Sequence, residues 1–146
     1  MMRNWILLAT TIVGAAFLFG RVAIAGGDLS AQPPVEVAVH LGTKDGQLVF
    51  EPKDITFQTG KLYKLVLDDP SPSKHYFSAL RFAAAIWTRK VETSGAEIKG
   101  SIREIELKPG GKAEWYFVPV QAGKFDLMCT VPGHAEAGMK ATITVE

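Results

Sequence analysis

The chain has 146 residues, of which 47% are hydrophobic and 21% charged, and its formal net charge is +1. This length fits one domain with a hydrophobic core and leaves little room for two. The 16 Lys and Arg nearly balance the 15 Asp and Glu, so nothing in the charge predicts a nucleic-acid partner. A single cysteine excludes disulfides, all-cysteine zinc sites and iron–sulfur clusters within one chain.

Residues 1–25 differ from the rest of the chain in composition. They contain 18 apolar residues and no acid, with a basic residue before the apolar run Trp5–Phe19 and small residues at 23–25. This order predicts a secretory signal peptide cleaved before Gly26. A retained membrane anchor is the alternative, although a span typically needs about 20 apolar residues. In both cases we expect the domain at 26–146 outside the cytoplasm, in a periplasm or thylakoid lumen, with membrane contact only through a retained anchor.

From residue 35 onward, short segments rich in β-branched and aromatic residues alternate with clusters of Gly, Pro, Asp and Ser. Strands at this spacing are typical of an all-β sandwich or barrel. The candidate strands, in chain order, are Val35–Leu41, Gln47–Phe50, Asp54–Gln58, Tyr63–Leu67, His75–Phe77, Ile102–Leu107, Ala113–Val118, Lys124–Cys129 and Lys140–Val145.

The segment Ser78–Trp87 interrupts this β pattern with a run of helix-forming residues. It predicts a short helix within the long connection Ser78–Gly100. We expect Phe82, Ile86 and Trp87 to close one side of the core; a role in docking a partner is the alternative.

Two of the later strands show clean alternation of apolar and polar residues. Phe125, Leu127 and Cys129 fall on one face of their strand, and Met139 continues the apolar face of the last strand. Cys129 and Met139 are therefore expected to point inward, at the end of one strand and the start of the next.

A short loop between these two strands carries three soft or borderline ligands. Cys129, His134 and Met139 follow one another with the spacing C-x4-H-x4-M, and His75 opens a strand after a Pro-rich turn. One thiolate and two imidazoles with a weak axial thioether form the ligand set of a blue-copper centre. His40 is the weaker candidate for the second imidazole, because alternation turns it outward from its strand. Met128 lies on the face opposite Cys129 and is expected to pack rather than bind metal.

With these four residues the chain resembles the cupredoxins, small extracytoplasmic blue-copper proteins such as plastocyanin, auracyanin and rusticyanin. The resemblance covers most of Val35–Glu146. The interval from Cys129 to His134 is longer than in plastocyanin and closer to that of longer-loop members such as rusticyanin, so plastocyanin's particular partners are not carried over. The resemblance implies a Greek-key β-sandwich with a short helical insert.

The same resemblance implies what the protein does. It predicts one copper per chain, held by His75, Cys129, His134 and Met139, and one-electron transfer without an enzymatic reaction. The redox partner would be a protein such as a cytochrome or a photosynthetic or respiratory complex, docking on the uncharged loop near His134, and the chain would be a monomer.

Two other readings use the same residues. A copper storage, delivery or sensing module has an identical ligand set, so the sequence leaves it open beside electron transfer. Enzymatic chemistry is less well supported, because an inward Cys129 is poorly placed to act as a nucleophile on a substrate. A multicopper oxidase would need many more than three histidines, and a dinuclear copper site would need a second bridging cysteine.

Overall fold

The computed structural model describes residues 27–146, and the predicted signal peptide or anchor at 1–25 lies outside these residues. Within residues 27–146, no helix is long and apolar enough to span a membrane. Apart from a 3-10 turn at Leu29–Ala31 and one helix, α1 (Leu80–Ala84), the regular elements described are strands. They are β1 (Val35–Leu41), β2 (Phe50–Glu51), β3 (Asp54–Phe57), β4 (Tyr63–Asp68), β5 (His75–Ser78), β6 (Ile86–Thr93), β7 (Ala96–Ile98), β8 (Glu104–Leu107), β9 (Lys112–Pro119), β10 (Gly123–Met128) and β11 (Lys140–Val145).

The strands form two sheets that pack face to face as a β-sandwich. One sheet has the order β2-β1-β4-β9-β6-β7, and the other has the order β3-β11-β10-β5-β8. The chain crosses repeatedly between the sheets, so most neighbouring strands are distant in sequence, as in a Greek-key sandwich. The predicted fold class is confirmed, and each of the nine predicted strands overlaps a strand of the structure.

The core between the sheets is rich in aromatic side chains. Phe57, Phe82, Trp115 and Phe117 are almost fully buried, and their rings meet mainly edge to face. Such pairs add to the stabilisation that burial alone provides. Cys129 and Met139 are themselves fully buried, and the inward orientation predicted for them is confirmed.

The connection between β5 and β8 contains more structure than the predicted helix. Helix α1 is present and buries Phe82, but β6 and β7 follow it and extend the larger sheet beyond β9. The expectation that Trp87 closes the core is wrong, because its side chain is 48% exposed. Trp87 points away from the core while Ile86, one residue earlier on β6, is buried.

Candidate metal centre

Three strand ends meet at one end of the sandwich and define the site. β5 begins at His75, β10 ends one residue before Cys129, and β11 begins one residue after Met139. β10 and β11 are antiparallel partners, and their pairing is continued by a hydrogen bond of 3.2 Å from the Cys129 N–H to the Met139 carbonyl. The loop that carries the soft ligands is therefore closed by a rigid hairpin base.

Backbone hydrogen bonds inside this loop fix the position of His134. The His134 N–H donates to the Val131 carbonyl at 3.0 Å, and the His134 carbonyl accepts from the Met139 N–H at 2.9 Å. These bonds tie the residue to both halves of the loop. As a result, the imidazole ring lies beside the thiol of Cys129 rather than in open solvent.

The fold brings three of the predicted ligands into a compact triangle. Nδ1 of His75 is 3.2 Å from Nδ1 of His134, and Sγ of Cys129 is 3.8 Å and 3.4 Å from these two nitrogens. No other cluster of three or more His, Cys, Asp or Glu ligand atoms in residues 27–146 has metal-binding geometry. The structure thus places these three residues next to one another, with their ligand atoms within 4.8 Å of each other.

The size of the triangle suits a metal ion in its plane. A point equidistant from the three atoms lies about 2 Å from each, close to the lengths of metal–nitrogen and metal–thiolate bonds, which are about 2.0–2.3 Å. Two imidazoles and one thiolate in a trigonal plane are the donor set that selects copper in electron-transfer sites. Geometry and donor chemistry therefore fit copper without any rearrangement of the side chains.

Burial and hydrogen bonding prepare the ligand atoms. Cys129 and His75 are fully buried, whereas His134 is partly exposed and gives the site its one edge toward solvent. The backbone N–H of Tyr76 donates to Sγ of Cys129 at 3.4 Å. An N–H donor directed at sulfur stabilises the negative charge of a thiolate, which is the form that binds metal.

The imidazole of His75 is held in its neutral form. Burial is the largest cause that lowers the pKa of His75 below its usual value, and His134 acts in the same direction while Asp69 opposes it. A neutral ring keeps a lone pair free for a metal ion. The site is therefore electrostatically suited to metal ligation at neutral pH.

Met139 and His40 have different surroundings. Met139 is fully buried at the point where the loop rejoins β11, and its backbone is bonded to both Cys129 and His134. His40 lies on β1 with its ring 48% exposed and paired with Asp68, so it takes no part in the triangle, as the sequence predicts.

Sequence reasoning did not identify two residues that contact the far edge of the His75 ring. Ser71 places its hydroxyl 2.8 Å from Nε2 of His75. Gly42 lies so close that a Cβ atom there would come within 2.8 Å of the same nitrogen. Nothing in the turn between β4 and β5 distinguishes Ser71 from Ser73 as a partner of His75, and only the fold brings Gly42 to this place.

Comparison with known protein families gives one match that covers most of the chain. The model of the family described as copper binding proteins, plastocyanin/azurin family, matches residues 37–146. A search of curated proteins finds no match.

Solved structures with the same fold include both small proteins and enzymes. A dithionite-reduced auracyanin from the photosynthetic bacterium Roseiflexus castenholzii has a TM-score of 0.55 at 19% identity, covering 76% of this chain and 96% of its own. Auracyanin A from Chloroflexus aurantiacus, described as a blue copper protein, has a TM-score of 0.50 at 17% identity, covering 78% and 100%. A copper-containing nitrite reductase from Thermus scotoductus has a TM-score of 0.58 at 15% identity, but the match covers 81% of this chain and only 32% of that one.

Proposed function

The chain belongs to the plastocyanin/azurin family of copper-binding proteins, and on that basis we propose that it carries single electrons through one type 1 copper centre per chain. The observation that carries the proposal is the triangle formed by His75, Cys129 and His134. A thiolate in this triangle favours Cu(I), while the two imidazoles accept Cu(II), so one geometry serves both oxidation states.

We assign the ligands by their positions. Nδ1 of His75, Nδ1 of His134 and Sγ of Cys129 would hold the copper ion, and the thioether of Met139 would be a fourth, weaker ligand. Support for Met139 comes from its burial and from its backbone bonds to Cys129 and His134. When bound, copper supplies the one-electron couple, and no substrate bond is made or broken.

The chain's own contribution is a site supported by paired strands. Cys129 and Met139 flank the paired strands β10 and β11, and His75 opens β5, where it pairs with Leu107 of β8. Ligands held on strand ends of a packed sandwich keep their geometry more accurately than ligands on free loops. Little reorganisation is then needed when an electron arrives or leaves.

The electron would enter and leave at the edge of the site where His134 reaches the surface. Around this ring, Pro132, Gly133 and Ala137 are exposed and uncharged, and Glu136 is the only charged residue of the loop segment 130–139. A surface with a single charged residue suits brief encounters with a redox protein. The proposed partner is a cytochrome or a photosynthetic or respiratory complex. This protein would exchange electrons with it as a monomer.

We place this protein outside the cytoplasm because residues 1–25 have the composition of an export signal or anchor. Sequencing the N-terminus of the purified protein tests the prediction of cleavage. A start at Gly26 would support a cleaved signal, whereas a start at Met1 would contradict cleavage and support the anchor.

Electron transfer and copper delivery make opposite demands on the same ligands. An electron carrier should show a reversible one-electron potential and fast exchange with a soluble cytochrome in stopped-flow mixing. Its Cu(I) should resist capture by a Cu(I)-specific chelator over the same period. Slow exchange with cytochrome together with rapid loss of Cu(I) would overturn the proposal in favour of delivery.

A further inference from the structure

The outer edge of the His75 ring is enclosed by protein rather than by solvent. The side chain is fully buried, so its Nε2 atom requires a hydrogen-bond partner within the protein. Oγ of Ser71 lies 2.8 Å away, while Oγ of Ser73 is at the outer limit, 3.5 Å. Ser71 is therefore the principal partner of this nitrogen.

The other hydrogen bonds of the Ser71 hydroxyl show whether it donates to or accepts from His75. Its hydroxyl donates to the carbonyl of Ser73 at 2.7 Å and accepts from the Ser73 N–H at 3.2 Å. A hydroxyl has one proton to donate and two lone pairs, so toward His75 this oxygen acts as an acceptor. Nε2 then carries the ring proton, and Nδ1 carries the lone pair that faces the Cys129 sulfur and the second imidazole.

The backbone of Ser71 is itself held by a hydrogen bond to a buried residue. Its backbone N–H donates to Oδ1 of Asp69 at 2.9 Å. Asp69 is only 1% exposed, and its backbone is bonded to Gly110 and Gly111 in the turn before β9. The hydroxyl therefore sits on an anchored turn and not on a free loop.

Gly42 lies close to the same ring edge. Its φ of +77° favours glycine, and a Cβ atom would approach both Nε2 of His75 and Cβ of Ser71 to 2.8 Å. A side chain at residue 42 would therefore collide with both the His75 ring and Ser71.

We propose that Ser71 is a positioning residue for the copper site: its hydroxyl accepts the Nε2 proton of His75 and so fixes the tautomer and orientation that present Nδ1 to the metal. The proposal rests on the ligand assignment of the proposed function. Hydrogen bonds of this kind from a ligand's second nitrogen typically change metal affinity 10- to 100-fold when removed. Ser71 thus contributes to copper affinity without touching copper.

The first test compares two serines of the same turn. Ser71→Ala removes the acceptor at 2.8 Å, and the matched control Ser73→Ala removes only the hydroxyl at 3.5 Å. We expect Cu(II) affinity, measured by competition with a chelator, to fall about 10- to 100-fold in Ser71→Ala and to change little in Ser73→Ala. Equal affinities in the two variants, or a larger loss in Ser73→Ala, would overturn the proposal.

The second test needs no variant, so it holds even if Ser71→Ala folds poorly. In the diamagnetic Cu(I) protein, the Nε2 proton of His75 should be visible by NMR and exchange slowly with water, while that of the partly exposed His134 exchanges faster. Equal and fast exchange of both protons would contradict the proposal. Because these measurements read affinity and proton exchange rather than electron transfer, a protein that merely stored copper would still pass them.

Discussion

The Nδ1 atoms of His75 and His134 lie 3.2 Å apart although the two residues are separated by 59 positions in the sequence. One ring is fixed at the start of a strand in the sandwich, and the other is carried by the loop that closes the β10–β11 hairpin. When both Nδ1 atoms carry lone pairs, as metal ligation requires, they gain little from facing each other directly. A metal ion bound between the two nitrogens and the nearby thiolate would interact favourably with all three ligand atoms.

Replacing Met139 by Leu should change the reduction potential of the copper site and leave its visible absorption nearly unchanged. The axial ligand tunes the potential of such a site, while the thiolate provides the colour. Leu and Met have similar volumes, so the free energy of unfolding should change by less than about 1.5 kcal/mol. Voltammetry and visible spectra measure the two effects.

Met128→Leu is the matched control for that variant, since Met128 precedes Cys129 but is 38% exposed on the other face of the strand. It should leave the potential unchanged. An unchanged potential in Met139→Leu would mean that Met139 is a core residue only.

Adding a charge beside His134 should slow electron exchange without altering the copper site. Ala135→Lys places an ammonium group on the uncharged loop and disturbs the fit of a redox partner. Ala122→Lys makes the same substitution at the opposite end of β10 and should leave the rate unchanged. Stopped-flow rates with a cytochrome, together with visible spectra, distinguish the cases; loss of colour in Ala135→Lys would instead show that the loop acts mainly as structure.

Removing the ring of Phe82 should destabilise the fold by about 3–5 kcal/mol. This ring is fully buried and contacts Phe57, Trp115 and Phe117. Leu80→Ala, in the same helix but 58% exposed, should cost no more than about 0.5 kcal/mol. Chemical denaturation of both variants tests this, and similar losses would contradict the packing assigned to α1.

The ion pair between Lys64 and Glu114 predicts a pH-dependent effect. A hydrogen bond from Lys64 is the main cause that lowers the pKa of the Glu114 carboxyl, with a further one from Tyr116. A carboxyl whose pKa is lowered by folding stabilises the protein above its unfolded pKa, about 4.3, and loses this effect as the pH falls through the folded value.

We therefore expect Glu114→Gln to lower the unfolding temperature of the copper-free protein slightly at pH 7, and the difference from the wild type to shrink below about pH 4. Glu104→Gln, on the edge strand β8 and outside these contacts, is the control and should show no such trend. A difference that stays constant or grows as the pH falls would contradict the assignment.

The sequence predicted much of this fold because most strands alternate regularly. β6 is the instructive exception. Its pairing with β9 shifts register between Thr88 and Lys90, so the buried positions fall at Ile86 and Val91 rather than at a constant spacing of two. A bulge of this kind breaks the alternation on which strand prediction depends. The outward position of Trp87 was missed for another reason: the sequence places it in the helix-forming run 78–87, whereas β6 already begins at Ile86.

The residues of the candidate site that follow a regular spacing in the sequence could be predicted. Cys129, His134 and Met139 lie on one loop with regular spacing, and His75 was the better of two remaining histidines. Ser71 and Gly42 have no such pattern, because their roles depend on where two separate turns meet in space. Residues that lie in another part of the chain and contact a ligand can be identified only from the structure.

The visible and EPR spectra of the Cu(II) protein, recorded beside those of Cys129→Ala, test the central claim most directly. We predict an intense thiolate-to-copper absorption and a small copper hyperfine splitting in the wild type, and loss of both in Cys129→Ala. A wild-type protein that binds Cu(II) without the intense band, or a band that survives in Cys129→Ala, would contradict a type 1 copper centre at this site.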